Sequence, residues 1–123
     1  MITLKRVYEP ASPEDGARIL VERLWPRGIT KAALALEAWS KDVAPSDALR
    51  RWFAHNPAKW AGFHRRLLHR VGQEPLAWNS LLQASRRGRL TLLYSSHDTE
   101  HNNAVALKDY LDAQASPRSR RRR

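Results

Sequence analysis

The run Leu90-Thr91-Leu92-Leu93-Tyr94 constrains this chain more than any other stretch. A strand with one wet face alternates apolar and polar residues. This run barely alternates, so a strand here must be covered on both faces, as a central strand of a parallel sheet is. The next nine residues, Ser95-Ser96-His97-Asp98-Thr99-Glu100-His101-Asn102-Asn103, are all polar. Val105, Leu107, Tyr110 and Leu111 then offer apolar positions to a core over "EHNNAVALKDYLDAQ", which reads as the final helix. The central strand therefore ends in a corner loaded with hydrogen-bonding groups.

The remaining segments fit around that strand. "ITLKRVY" (2–8) alternates and reads as a strand. "EPASPEDG" is a turn-rich connector. "ARILVERLW" (17–25) reads as a second strand, with Ile19, Val21 and Arg23 on one face, cut off by "PRG". Thr30 caps a short helix over "KAALALEAW", whose end is equally readable as a short strand through Trp39. Ser46 and Asp47 open a helix carrying Leu49, Trp52 and Phe53. Asn56 and Pro57 open another, with Trp60, Phe63, Leu67 and Val71 as its apolar stripe and Gly72 as its stop. A further helix starts near Pro75 and ends at Gly88. Strands at both ends of the chain with helices between and after predict an α/β fold. The expectation is one small domain over residues 1–114, with a three- or four-stranded, mainly parallel sheet flanked by helices. Residues 115–123 read as a disordered, arginine-rich tail.

A chain of 123 residues with five tryptophans can bury a core of its own. It has no cysteine, which removes disulfides, thiolate metal sites and cysteine nucleophiles. The first ten residues contain no apolar stretch of the signal-peptide kind, and no apolar run is long enough to cross a bilayer. A cytoplasmic setting without membrane contact is the expectation. The net charge is +10, and Arg118, Arg120, Arg121, Arg122 and Arg123 supply five of it, leaving the body at +5. A basic body favours anionic partners without choosing among them. The tail suits non-specific contact with nucleic acid.

In open α/β sheets ligands sit outside the carboxyl ends of the strands. Helix starts add unpaired N–H groups and partial positive charge, which attract phosphate or carboxylate. The sequence puts Ser95, Ser96 and Thr99 at such a place, with the helix N-terminus expected near Thr99. Capping by Ser96, Asp98 or Thr99 is the competing use of these residues. Arg6, Arg23 and Arg27 are candidates to balance a ligand's charge, Arg27 on a loop stiffened by Pro26 and turned by Gly28. An internal salt bridge to Asp42, or to a group near Glu22, is the alternative for Arg23. His101 with Asp98 is a candidate acid/base pair. No G-x-S-x-G elbow supports a serine hydrolase. His97 and His101 are four apart, but His97 precedes the helix, so no metal site is expected. No cofactor is called for. His55 follows its helix either as a cap or within reach of the corner. The aromatics of "RRWFAHNPAKWAGFHRRLLHR" recur at helical spacing, which marks core more than nucleic-acid contact.

Four stretches, "LVERLWPRG" (20–28), "KDVAPS" (41–46), "LRRWFAH" (49–55) and "YSSHDTEHNNA" (94–104), together resemble the short, YeaO-like branch of the DUF488 family. The resemblance runs over about residues 4–112 and leaves the arginine tail outside. It is a family of unknown function, so the resemblance implies a fold and signature positions, among them Asp98, His101 and Asn102, but no reaction. Longer relatives carry cysteines where Tyr94 and Glu100 stand, so thiol chemistry in them has no counterpart here. The resulting expectation is a small anionic or phosphate-bearing ligand held by Arg6, Arg23, Arg27, Gly28, Ser95, Ser96, Thr99 and Asn102. The alternative is a nucleic-acid-associated or regulatory module using the basic surface and tail. Oligomeric state is not readable from the sequence.

Overall fold

All five residues of Leu90–Tyr94 are buried, and their strand lies inside the sheet. The computed structural model describes residues 1–115. In chain order its elements are β1 (Ile2–Arg6), β2 (Ala17–Leu20), α1 (Lys31–Leu34), β3 (Ala38–Trp39), α2 (Asp47–Phe53), α3 (Trp60–Gly72), α4 (Pro75–Arg87), β4 (Leu90–Tyr94) and α5 (Asn103–Ala115). Single 3-10 turns occur at Pro13–Asp15 and Pro57–Lys59. The sheet order is β1-β4-β2-β3, and every pairing is parallel. The α/β class and the single small domain expected from the sequence are what the chain forms. The arginine-rich segment from residue 116 onward lies outside the described residues. No helix among those residues is long and apolar enough to cross a membrane.

Side chains alternate across a strand, so each central strand feeds two cores. Leu90, Leu92 and Tyr94 face the larger one, with Ile19 and Val21 from β2 and its continuation. Phe63, Leu67 and Val71 of α3 and Leu107 and Leu111 of α5 close it at helical spacing. Leu93 faces the other way, into a smaller cluster with Val7, Leu20 and Leu34. That second face also holds buried polar groups. Arg18 is 5% exposed. Its guanidinium donates to Asp15 Oδ2 at 2.6 Å and to the Leu34 carbonyl at 3.0 and 2.7 Å. Lys5 Nζ reaches the same carboxylate at 3.0 Å. Burial pushes the Asp15 carboxyl up, but bonds from Lys5, the Ser12 N–H and Arg18 outweigh it and hold it below its ordinary value.

The caps follow the sequence closely. Ser46 Oγ accepts from Leu49 N–H at 3.1 Å, Asn56 Oδ1 from Ala58 N–H at 3.0 Å, and Thr30 Oγ1 from Ala33 N–H at 3.1 Å. Of the two readings of the segment after Thr30, both are realised: a one-turn helix, then the two-residue strand through Trp39.

Three boundaries differ from expectation. β1 stops at Arg6 and β2 at Leu20, not at Tyr8 and Trp25. The reason lies in the neighbour: β4 ends at Tyr94, and Val21 N–H to Leu93 O, at 3.2 Å, is the last bond β2's backbone can make to it. Residues beyond Val21 have no strand to pair with, whatever their propensity. Arg23 is therefore on a loop rather than in a sheet. α5 starts at Asn103, not near Thr99, for reasons given below. Gly16 has φ +65°, and a Cβ there would lie 2.2 Å from the Arg89 carbonyl oxygen, so only glycine lets β2 start this close to β4.

Candidate ligand cavity at the carboxyl ends of the central strands

Past Leu20 and Tyr94 the two central strands release the chain into adjacent loops, and a cavity of about 390 Å³ opens between them. The Glu22–Arg27 loop forms one wall and the Ser95–Asn103 segment another. Phe53, His55 and Phe63, at the α2–α3 junction, form the third.

The first wall is held firmly. Trp39 Nε1 donates to the Glu22 carbonyl at 2.6 Å and Trp25 Nε1 to the Ile29 carbonyl at 2.8 Å. The two indoles meet edge to face at 5.5 Å. Tyr8 Oη donates to the Arg27 carbonyl at 3.0 Å. Arg27 itself is exposed at the cavity and has no ion-pair partner among the described residues. Arg23 pairs with Asp47 at 3.4 Å, neither with Asp42 nor with a group near Glu22. Arg50 shares that carboxylate at 3.2 Å. Gly28 does not line the cavity. It has φ +75° with open space around it, so its contribution is the turn that follows Arg27.

The second wall is built by capping, and capping uses up several groups expected to greet a ligand. Ser96 Oγ accepts from Asp98 N–H at 3.1 Å. Asp98 Oδ1 accepts from both Glu100 N–H and His101 N–H at 2.9 Å. Those two backbone bonds hold the Asp98 carboxyl below its ordinary value, against a smaller upward push from burial. This local turn defers the helix. Asn102, 2% exposed, then caps it, accepting from Val105 N–H at 3.0 Å and donating to the Asp98 carbonyl at 2.8 Å. Thr99 is exposed and off the cavity, so the expected helix mouth at Thr99 is replaced by one at Asn102–Asn103. Asp98 also lies outside the lining.

His101 does line it. Its Nδ1 lies 3.0 Å from Asp98 Oδ2. A carboxylate only accepts, so Nδ1 carries the proton, and Nε2 is left without a protein partner among the described residues. Trp60 packs edge to face on the ring at 5.4 Å and fixes its plane.

Arg6 does not reach the cavity. Its Nε donates to the Ser96 carbonyl at 2.8 Å and Nη2 to the Ser95 carbonyl at 3.2 Å. It anchors the corner's backbone from the neighbouring strand. Of the sequence candidates, then, Arg23, Arg27, Ser95, Ser96, His101 and Asn102 come together around one cavity, Arg6, Gly28 and Asp98 support it from outside, and Thr99 takes no part.

Glu22 and Arg50 are not among the sequence candidates, yet both line the cavity. Glu22 Oε1 accepts from Ser95 Oγ at 2.5 Å, so the Ser95 proton faces a carboxylate. Burial pushes the Glu22 carboxyl up, and the Ser95 and Asn103 side chains and the charge of Arg50 only partly reverse this. A carboxylate inside the apolar run "LVERLW" was the available signal. His55 lines the cavity too, with φ 55° directly after Ala54 at φ 48°. Two successive non-glycine residues in the left-handed region are uncommon, so the packing of the α2–α3 junction has to hold His55 there against that strain. Among the described residues no group of three or more His, Asp or Glu side chains is placed to hold a metal ion.

The family described as "Inactive DUF488-N3 subclade" matches residues 1–122, which takes the match beyond residue 112 and into the arginine-rich end. Escherichia coli (strain K12) uncharacterized protein YeaO is 44% identical over 110 residues, covering 89% of this chain and 96% of that protein. Mycobacterium tuberculosis (strain H37Rv) uncharacterized protein Rv3073c is 33% identical over 111 residues, covering 90% and 93%. No solved structure matches the chain significantly. These likenesses span nearly the whole length of both partners, and the chain belongs to the DUF488 family, among its YeaO-like members.

Proposed function

We propose that this domain binds a small anionic or phosphate-bearing ligand in the cavity beyond β2 and β4. One observation carries the reading: Arg23, Arg27 and Arg50 converge with Ser96 and His101 on a single cavity of about 390 Å³. That volume is in the range of small-molecule sites. Arg27 is the cation most available, since Arg23 and Arg50 are tied to Asp47. Ser96 Oγ accepts the Asp98 N–H, and its own proton remains free to donate. His101 Nε2 supplies an acceptor.

His101 with Asp98 also has the geometry of an oriented base. The family's description as inactive favours binding over turnover, and we read the pair as orienting a ligand. The nucleic-acid reading draws on another observation. Trp52 is exposed on α2 with Arg66 at 4.0 Å and Lys59 at 5.1 Å from its ring. Those cations already occupy the ring, which ranks that surface second.

Thermal unfolding with a panel of phosphorylated metabolites tests the proposal. A ligand that binds the native state raises Tm by mass action. Arg27→Ala and Ser96→Ala are expected to abolish the rise, and a rise untouched by either substitution would rule the cavity out.

A further inference from the structure

Glu22 sets a condition that a purely anionic ligand does not meet. Its carboxyl group lines the same cavity as the arginines, is met by the Ser95 hydroxyl, the Ser95 N–H and the Asn103 side chain, and has no ion-pair partner among the described residues. A carboxylate accepts about four hydrogen bonds, so room remains for a further donor. An unpaired carboxylate removed from water is unfavourable unless it neutralises or meets a donor. It would also repel phosphate or carboxylate placed against it. Arg27, by contrast, ends the same loop, and its fork, suited to an anion, has no ion-pair partner among the described residues.

We propose that the ligand is bipolar: a phosphate or carboxylate that meets Arg27, and an amino group that donates to Glu22. This deepens the ligand-binding reading above and rests on it. Two acidic or basic groups of one sign would make a site for one charge. Opposite signs in one cavity select a molecule carrying both, and they fix its direction. Ser95 is a positioning residue here. Its Oγ–H bonds Oε1 and fixes the carboxyl group in the cavity wall.

Matched pairs that differ by one amino group test the idea on the full chain. Glucosamine 6-phosphate is compared with glucose 6-phosphate, and guanosine monophosphate with inosine monophosphate, by thermal shift and by titration calorimetry. The expected result is tighter binding of the amino member by tenfold or more in at least one pair. Glu22→Gln is expected to erase that preference, bringing the two members of the pair to equal affinity. Arg27→Ala is expected to weaken both members alike. Equal binding of both members, still dependent on Arg27, overturns this inference and leaves the parent reading standing. A preference that survives Glu22→Gln overturns it as well. Silence from every probe ends both. The pair comparison needs only the unaltered protein, so it decides the matter even where a variant folds poorly.

Discussion

Glu22 is an acid held in a place that disfavours its charge. Its folded-state pKa is raised, so the native protein binds this proton more tightly than the unfolded chain does. The group favours folding below its ordinary pKa, and that contribution is lost as pH rises through the folded value. Glu22→Gln is therefore expected to stabilise the free protein at pH 7, with the gain shrinking toward zero as the pH falls below about 4, near the ordinary carboxyl value. Urea melts at the two pH values check this, and a Gln variant less stable at pH 7 contradicts it. Stability surrendered at a cavity wall is what a binding role predicts. Asp15 has the opposite sign. Its lowered pKa gives stability that is present above the ordinary Asp value and lost as the pH drops through the folded one. It lies beside buried Arg18 on the far face of the sheet. Arg18→Ala removes one partner of a buried pair, and about 3–5 kcal/mol of destabilisation is expected by urea titration. A loss under about 1 kcal/mol would mean that water reaches the pair.

Elements start and stop here for reasons that differ in their reach. The caps at Ser46, Asn56 and Thr30 act within four residues, which is why each was legible from local sequence. The start of α5 was not, because Ser96, Asp98 and Thr99 were all readable as caps and Asn102, of an equally suitable type, lies further on. Asp98 wins two N–H groups in a turn of its own and hands the helix to Asn102. Asn102→Ala is expected to cost about 1–2 kcal/mol, at the upper end for a cap because the half-buried Asp98 carbonyl loses its donor too. Thr99→Ala, at an exposed site, is expected to stay within about 0.5 kcal/mol. Equal losses at the two positions would place the cap wrongly. The end of β2 was illegible for another reason. "ILVERLW" has strand propensity throughout, but the ladder stops where β4 stops. Gly16 belongs to the same scale. Gly16→Ala drives a methyl into the Arg89 carbonyl, and a loss of roughly 3 kcal/mol or more in thermal melts is expected from clash and strain together.

At the scale of the whole molecule, the parallel order β1-β4-β2-β3 collects the loops after β1, β2 and β4 at one end. Tyr8, the Glu22–Gly28 loop and the Ser95–Asn103 corner meet there though they lie far apart in the chain. The basic charge is spread differently, with +5 on the body and five arginines in the last six residues. Binding of single-stranded nucleic acid across a salt series, with and without residues 116–123, separates the two. Affinity is expected to fall with removal of the tail, and the log–log salt slope to shrink by about 0.7 for each phosphate that the tail had neutralised. Salt-sensitive affinity that persists in the shortened chain would return the α2–α3 surface to consideration.

Sequence alone determined what depends on short range. The unbroken apolar run of residues 90–94 required a covered strand, helical stripes named most of the larger core, and polar residues after a buried strand marked the end of the sheet where a cavity lies. Tertiary structure alone decided which side chains share that cavity. Arg6 and Arg27 look alike in the sequence, yet one is spent on the Ser95 and Ser96 carbonyls and the other has no ion-pair partner among the described residues. Glu22 passed for a strand residue until the shortness of β4 left it on a loop facing Ser95. The physical reason is range. Propensity and capping are settled by neighbours a few residues away, whereas a partner for a guanidinium or a carboxyl is chosen by strand order and strand length, and these exist only once the chain has closed on itself.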